Sequence, residues 1–187
     1  LREAFEAAGK LDAEAIEAGG TMALRIARNA DDLLRAAGAQ GTPVRVISGE
    51  EEAELGFQAV ADDPVFADFD RVSIVDPGGH STELVTADRV WHQPAGSVVA
   101  SSSWLVRFRR SYPVGALGLR EGLLAAESPD IRARLAATVE IDDLVGLNYL
   151  PGKCGAVAVL GATGTNLITI RERITQWDAD RVHGQKL

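Results

Sequence analysis

Val72-Ser-Ile-Val-Asp76-Pro-Gly-Gly-His-Ser81-Thr-Glu83-Leu-Val85 is the stretch that organises this 187-residue chain. A β-branched apolar run ends at Asp76, a glycine turn and a hydroxyl pair follow, and Glu83 opens a second apolar run. The pattern predicts strand, tight turn, strand. Glycine permits close backbone approach and left-handed φ, and successive N–H groups in such a turn can form an anion-binding concavity. Ser81 and Thr82 add hydroxyl donors, while Asp76 and Glu83 add carboxylates suited to a hard cation beside a phosphate. A plain hairpin also wants glycine in its turn, so this stretch alone leaves both interpretations open.

Outward from it, the chain alternates between strand and helix signals. Pro43–Ile47 and Ala156–Leu160 read as strands, and Val90–Gln93 reads as the third strand of an antiparallel meander whose second turn is Ala87-Asp88-Arg89. Helical spacing covers Leu1–Ala18, ended by Gly19-Gly20, and the second half of Ala23–Ala37, with Asn29 as N-cap and Asp31 and Asp32 in the first turn. Ser48 with Glu51 forms a capping box that starts a helix over about 50–60. Further helices are predicted over about 97–110 after Gly96, after Ser128-Pro129, near Ile141–Leu150 and over Asn166–Trp177, with loops at Tyr112–Gly118 and Gly161–Thr165. Strands alternating with helices around a meander predict an α/β layered fold with a mixed sheet.

Composition narrows the function classes. Apolar residues make up 46% and charged residues 25% of the chain, an ordinary globular balance, and no apolar run reaches membrane-spanning length. A net charge of −8 argues against broad nucleic-acid binding, and means that any phosphate site relies on local donors. Cys154 is the single cysteine, expected to be a buried inert thiol. The absence of disulfides points to the cytoplasm. His80, His92 and His183 lack metal-ligand spacing.

Three small-residue turns follow predicted strands: Ser48-Gly49, Pro77-Gly78-Gly79, and Gly161-Ala-Thr-Gly164-Thr165. Ligands of α/β sheets collect at the carboxyl ends of strands, and the first and third turns open helices, whose N-termini attract anions. Together they favour a phosphate-bearing ligand. Glu50-Glu51-Glu52 suits a first helical turn on dipole grounds alone, yet a phosphohydrolase needs a carboxylate to take a proton from attacking water. Arg25 is either a surface residue or a bidentate phosphate grip, and Arg107, Arg109 and Arg110 read as complementing a helix end.

Four segments in order resemble one family. Thr21-Met-Ala-Leu-Arg25-Ile-Ala-Arg-Asn29-Ala, Val46-Ile-Ser-Gly-Glu-Glu-Glu52-Ala, Val75-Asp-Pro-Gly-Gly-His-Ser-Thr-Glu-Leu84 and Gly161-Ala-Thr-Gly-Thr165 are similar to motifs of the exopolyphosphatase and guanosine pentaphosphate phosphohydrolase family. That family lies in the acetate-kinase, sugar-kinase and actin superfamily. The resemblance covers Thr21 to about Ile174 and implies a pair of ribonuclease-H-like (actin-like ATPase) domains, here a remnant of the first over 1–60 and an incomplete second over 61–187.

By residue, the resemblance implies Glu52 as the catalytic base and Arg25 as the phosphate grip. Gly78, Gly79, His80, Ser81 and Thr82 would form one phosphate loop, and Gly161, Gly164 and Thr165 another. Asp76 and Glu83 would be acids associated with Mg²⁺ or another divalent cation. The implied partners are polyphosphate or a phosphorylated guanine nucleotide, without membrane or specific nucleic-acid binding and with a homodimer allowed. The sequence departs from the family at Pro77 and His80. It also has no counterpart of the family's first phosphate loop, and the strand expected between Leu11–Gly19 and Thr21 has no evident sequence. A truncated or divergent member is the expectation, active as a hydrolase or retaining only the fold and weak phosphate binding.

Overall fold

A computed structural model describes residues 1–11, 13–92, 101–146 and 155–186. The chain divides into two compact units, Leu1–Glu52 and Ala53–Leu187.

The first unit is built on backbone pairing of very short strands. Helix α1 (Arg2–Gly9) leads to β1 (Gly19–Gly20), which pairs in parallel with β2 (Arg45–Val46). The two glycines read as a helix stop are therefore a strand. Glycine is a poor strand former, but the pairing needs only its backbone, and the Ile47 side chain fills the space beside Gly19. Between them lie α2 (Met22–Ile26) and α3 (Ala30–Ala39). Asn29 occupies the N-cap of α3 without a side-chain capping bond. Helix α4 (Gly49–Ala61) starts where the capping box places it: the Glu51 amide donates to Ser48 Oγ at 3.0 Å.

The second unit is a four-stranded mixed sheet, β3 (Arg71–Pro77), β4 (Thr82–His92), β5 (Ser101–Tyr112) and β6 (Ala156–Val159), in the order β5-β4-β3-β6. β3, β4 and β5 form the antiparallel meander, and β6 runs parallel to β3. The sheet departs from the sequence pattern in two places. Ala87-Asp88-Arg89 is not a turn, because β4 runs unbroken through it. Its charges are neutralised across the sheet: Asp88 lies opposite Arg71 and accepts from both Arg71 and Arg107. The helix expected over 97–110 is strand β5 over residues 101–110, while 97–100 lie outside the described residues. A register shift at Thr86/Ala87 leaves Arg107 as an extra residue. Trp104 and Val106 face one core and Phe108 the other, so the simple alternation of a strand is hidden.

Both sheet faces are packed. Ala53, Phe57 and Val60 of α4 cover Val72, Ile74, Val85, Ala87 and Ala158. On the other face Leu84, Phe108 and Tyr112 meet Leu119 of α5 (Ala116–Glu121) and Ile141 and Val145 of α6 (Ile131–Val145). Helix α5 replaces part of the expected 112–118 loop. Helix α6 unites the two helices predicted there, from the Asp130 cap to left-handed Gly146, and Leu150 and Cys154 lie outside the described residues. Helix α7 (Gly161–Arg171) begins at the glycines expected to form a turn and ends before Trp177. Among the described residues no helix is long and apolar enough to cross a membrane.

Candidate functional site

The candidate residues fall into one group in each unit. In the first, β2 and the start of α4 converge on Arg25. Its Nη1 donates to the Ile47 carbonyl at 2.7 Å and its Nη2 to Glu52 Oε2 at 3.0 Å. Both side chains of the pair are about one-fifth exposed, at 20% and 23%. The acidic triplet is thereby sorted. Glu50 is exposed, Glu51 makes a double hydrogen bond to Arg45 that holds its carboxyl below the usual range, and only Glu52 engages Arg25. Arg45 gave no signal in the sequence, since its link to Glu51 depends on the β1–β2 pairing.

In the second unit, β3 and β4 end in a row of polar groups on the sheet face that carries the α4 core. Asp76 lies directly opposite Glu83, and Glu83 opposite Ser111. Glu83 is only 2% exposed and accepts from Ser111 Oγ at 2.7 Å. Two carboxylates placed opposite one another repel unless donors or a cation stand beside them, and Ser111 is one such donor. A small hard cation suits the pair, since such ions take one or two carboxylates and fill the remaining positions with water and phosphate oxygens. Among the described residues no group of three or more His, Cys, Asp and Glu forms a closed metal cage. Ser111 was missed from the sequence because only the bulged register places it beside Glu83.

Asp76 also abuts the start of α7. Gly161 has φ +68, and a Cβ there would lie 2.8 Å from Asp76 Oδ1, so only glycine allows this approach. Thr163 Oγ1 donates to the Pro77 carbonyl at 3.2 Å, tying α7 to the end of β3. Gly164 packs closely on Val159, and the Thr165 hydroxyl bonds back to the carbonyls of Gly161 and Ala162.

The turn itself joins Pro77 to Thr82. Neither Gly78 nor Gly79 has a left-handed φ. The glycines serve close packing instead: a Cβ on Gly79 would lie 3.0 Å from Leu117 Cδ1. The Gly78 amide donates to the Ser81 carbonyl at 2.8 Å. Among the described residues, no backbone carbonyl accepts from the amides of Gly79, His80 or Ser81. Ser81 is buried, and Thr82 Oγ1 donates to the Val114 carbonyl at 2.6 Å. His80, the departure from the family motif, lies along α5 with its Nε2 3.3 Å from Glu121 Oε2.

A meander extended by a parallel strand, with helices on both faces, a polar turn at the carboxyl end of β3 and the start of α7 at that of β6, defines a layered α/β protein of the ribonuclease-H-like, actin-like class. The model of the Ppx/GppA phosphatase family matches residues 1–150. The chain belongs to that family. A solved Aquifex aeolicus family member is 25% identical, with a TM-score of 0.72, over 97% of this chain and 54% of that one. An exopolyphosphatase-like protein aligns at 22% identity and TM-score 0.76 over 95% of this chain and 54% of its own. An exopolyphosphatase from Cytophaga hutchinsonii aligns at 16% identity and TM-score 0.71, over 97% and 55%. The chain thus spans about half the length of these solved relatives.

Proposed function

We propose that this chain serves phosphoanhydride hydrolysis, releasing the terminal phosphate of inorganic polyphosphate or guanosine pentaphosphate. The observation that carries the proposal is the 78–81 turn, whose amides at Gly79, His80 and Ser81 lack backbone partners among the described residues. It joins two strand ends that carry the opposed carboxylates Asp76 and Glu83. Membership of the Ppx/GppA phosphatase family supports the substrate class.

In this mechanism the turn amides hold phosphate oxygens, and in the first unit Arg25 Nη2 orients Glu52. Glu52 accepts the proton of the attacking water. Asp76 and Glu83 would be the residues to hold Mg²⁺, which when bound would neutralise charge on the phosphate oxygens. Positioning and electrostatic stabilisation account for most of the acceleration in phosphoryl transfer.

A second reading, a relative that binds phosphate without hydrolysing it, is favoured by the same Arg25–Glu52 ion pair, which engages both groups with each other. Phosphate release from long-chain polyphosphate and from guanosine pentaphosphate, each with and without Mg²⁺, separates the two. Mg²⁺-dependent release is the expected result. Binding of either compound with no release in any arm supports the second reading and removes the first.

A further inference from the structure

We infer that the start of α5, with Gly115 as its positioning residue, is the clamp that aims the amides of the 78–81 turn outward. The inference rests on that turn being the phosphate loop.

The hydrogen bonds run one way. The Ala116 amide donates to the Gly78 carbonyl at 2.9 Å, and the Leu117 and Gly118 amides donate to the Gly79 carbonyl at 2.7 and 3.1 Å. Carbonyl and amide of one trans peptide point in opposite directions. Holding the Gly78 and Gly79 carbonyls against α5 therefore turns the following amides, those of Gly79 and His80, away from it. The first turn of α5 is thus filled by the loop's own carbonyls and takes no anion itself. Its free N–H groups, which every helix start leaves over, orient a neighbouring set of N–H groups.

Gly115 makes the approach possible. A Cβ there would lie 2.5 Å from the Gly79 carbonyl carbon and 2.6 Å from both the Gly79 oxygen and the His80 nitrogen. These are backbone atoms, so relief requires the turn itself to move. Two side-chain ties flank the contact: Thr82 Oγ1 to the Val114 carbonyl, and His80 Nε2 with Glu121. The imidazole standing where the family motif has glycine is therefore anchored on α5.

Two variants test the clamp in the full chain. Gly115→Ala adds the colliding methyl. Ala116→Pro deletes a single donor at the first position of a helix, where proline is well tolerated, after a residue already extended at φ −159 and ψ 172. Inorganic tripolyphosphate is titrated by calorimetry, the amide resonances of Gly79 and His80 are followed, and melting is recorded alongside. We expect both variants to bind tripolyphosphate at least tenfold more weakly and to lose the ligand-induced shifts of those two amides, with Ala116→Pro melting close to the parent. Parent-like affinity in a folded Ala116→Pro protein overturns the clamp. Failure of the parent itself to bind tripolyphosphate overturns the phosphate-loop reading instead. The clamp is then judged without ligand by hydrogen exchange of the Leu117 and Gly118 amides, slow in the parent and at least tenfold faster in Gly115→Ala. Equal exchange in the two overturns it.

Discussion

Three consecutive glutamates have three different surroundings, and this is where residue identity matters most. Glu50 faces solvent, Glu51 is bound to Arg45, and Glu52 to Arg25. If Glu52 is the base, Glu52→Gln lowers polyphosphate turnover by at least about 10²-fold, the lower end of general-base contributions, while tripolyphosphate affinity is largely kept. Glu50→Gln removes the same charge from the same helical turn, so its effect is confined to helix-end electrostatics of about 0.3–1 kcal/mol. Equal, small effects on turnover would show that the triplet serves only its helix. His80→Gly removes the contact with Glu121. Weaker tripolyphosphate binding is the expected outcome, because a tie between turn and α5 is lost. Tighter binding would mean that the imidazole narrows the site.

At the scale of elements, β4 and β5 show what a sequence conceals. Asp88 and Arg89 read as turn residues because they are charged and adjacent. In the sheet, Asp88 bridges Arg71 and Arg107, and Arg89 lies over the Trp104 ring while donating to the Phe66 and Phe69 carbonyls. Hydrogen bonds from Arg71 and then Arg107 hold the Asp88 carboxyl down to about 2 from an ordinary 3.8. A depressed carboxyl contributes stability that is present above its unfolded pKa and lost as pH falls through the folded one. Thermal melting should therefore drop between about pH 4 and pH 2. Asp88→Asn should melt lower near neutrality and lose that share of the acid sensitivity. An unchanged acid profile in the variant would remove Asp88 from the explanation.

The same elements mark what was legible. β3, β4 up to Thr86, and the start of α4 follow from local chemistry: β-branched runs, a two-glycine turn and a Ser48 cap. β5 does not, because the bulge moves its apolar residues between faces and Arg107 is intelligible only beside Asp88. The candidate acids Asp76 and Glu83 were visible in their motif. Ser111 beside Glu83 and Gly115 beside the glycine turn were not, since both depend on pairing and packing across the chain.

In the second unit as a whole, one sheet separates two apolar layers. Phe57 is 2% exposed and meets Trp104 edge-to-face with ring centroids 5.7 Å apart. Phe57→Ala should cost about 3–5 kcal/mol, as large aromatic deletions in well-packed cores do, read as a lower urea midpoint at unchanged slope. A loss under about 1 kcal/mol, the size of a surface change, would place the stabilising core elsewhere. The parallel pairing of β6 with β3 has a kinetic consequence. The meander closes through neighbouring strands, and the turn meets α5 soon after β5 ends, but β6 reaches Val72–Val75 only after α5 and α6 have been traversed. Pairings distant along the chain form late, because loop closure precedes any gain from contact. The glycine turn and its α5 brace should therefore assemble in an early folding phase, and Gly161 should reach Asp76 only in the last one. Partial opening retraces that order, so a molecule that has released β6 and α7 still presents the turn but has lost the Gly161 approach to Asp76 and the Thr163 tie to Pro77.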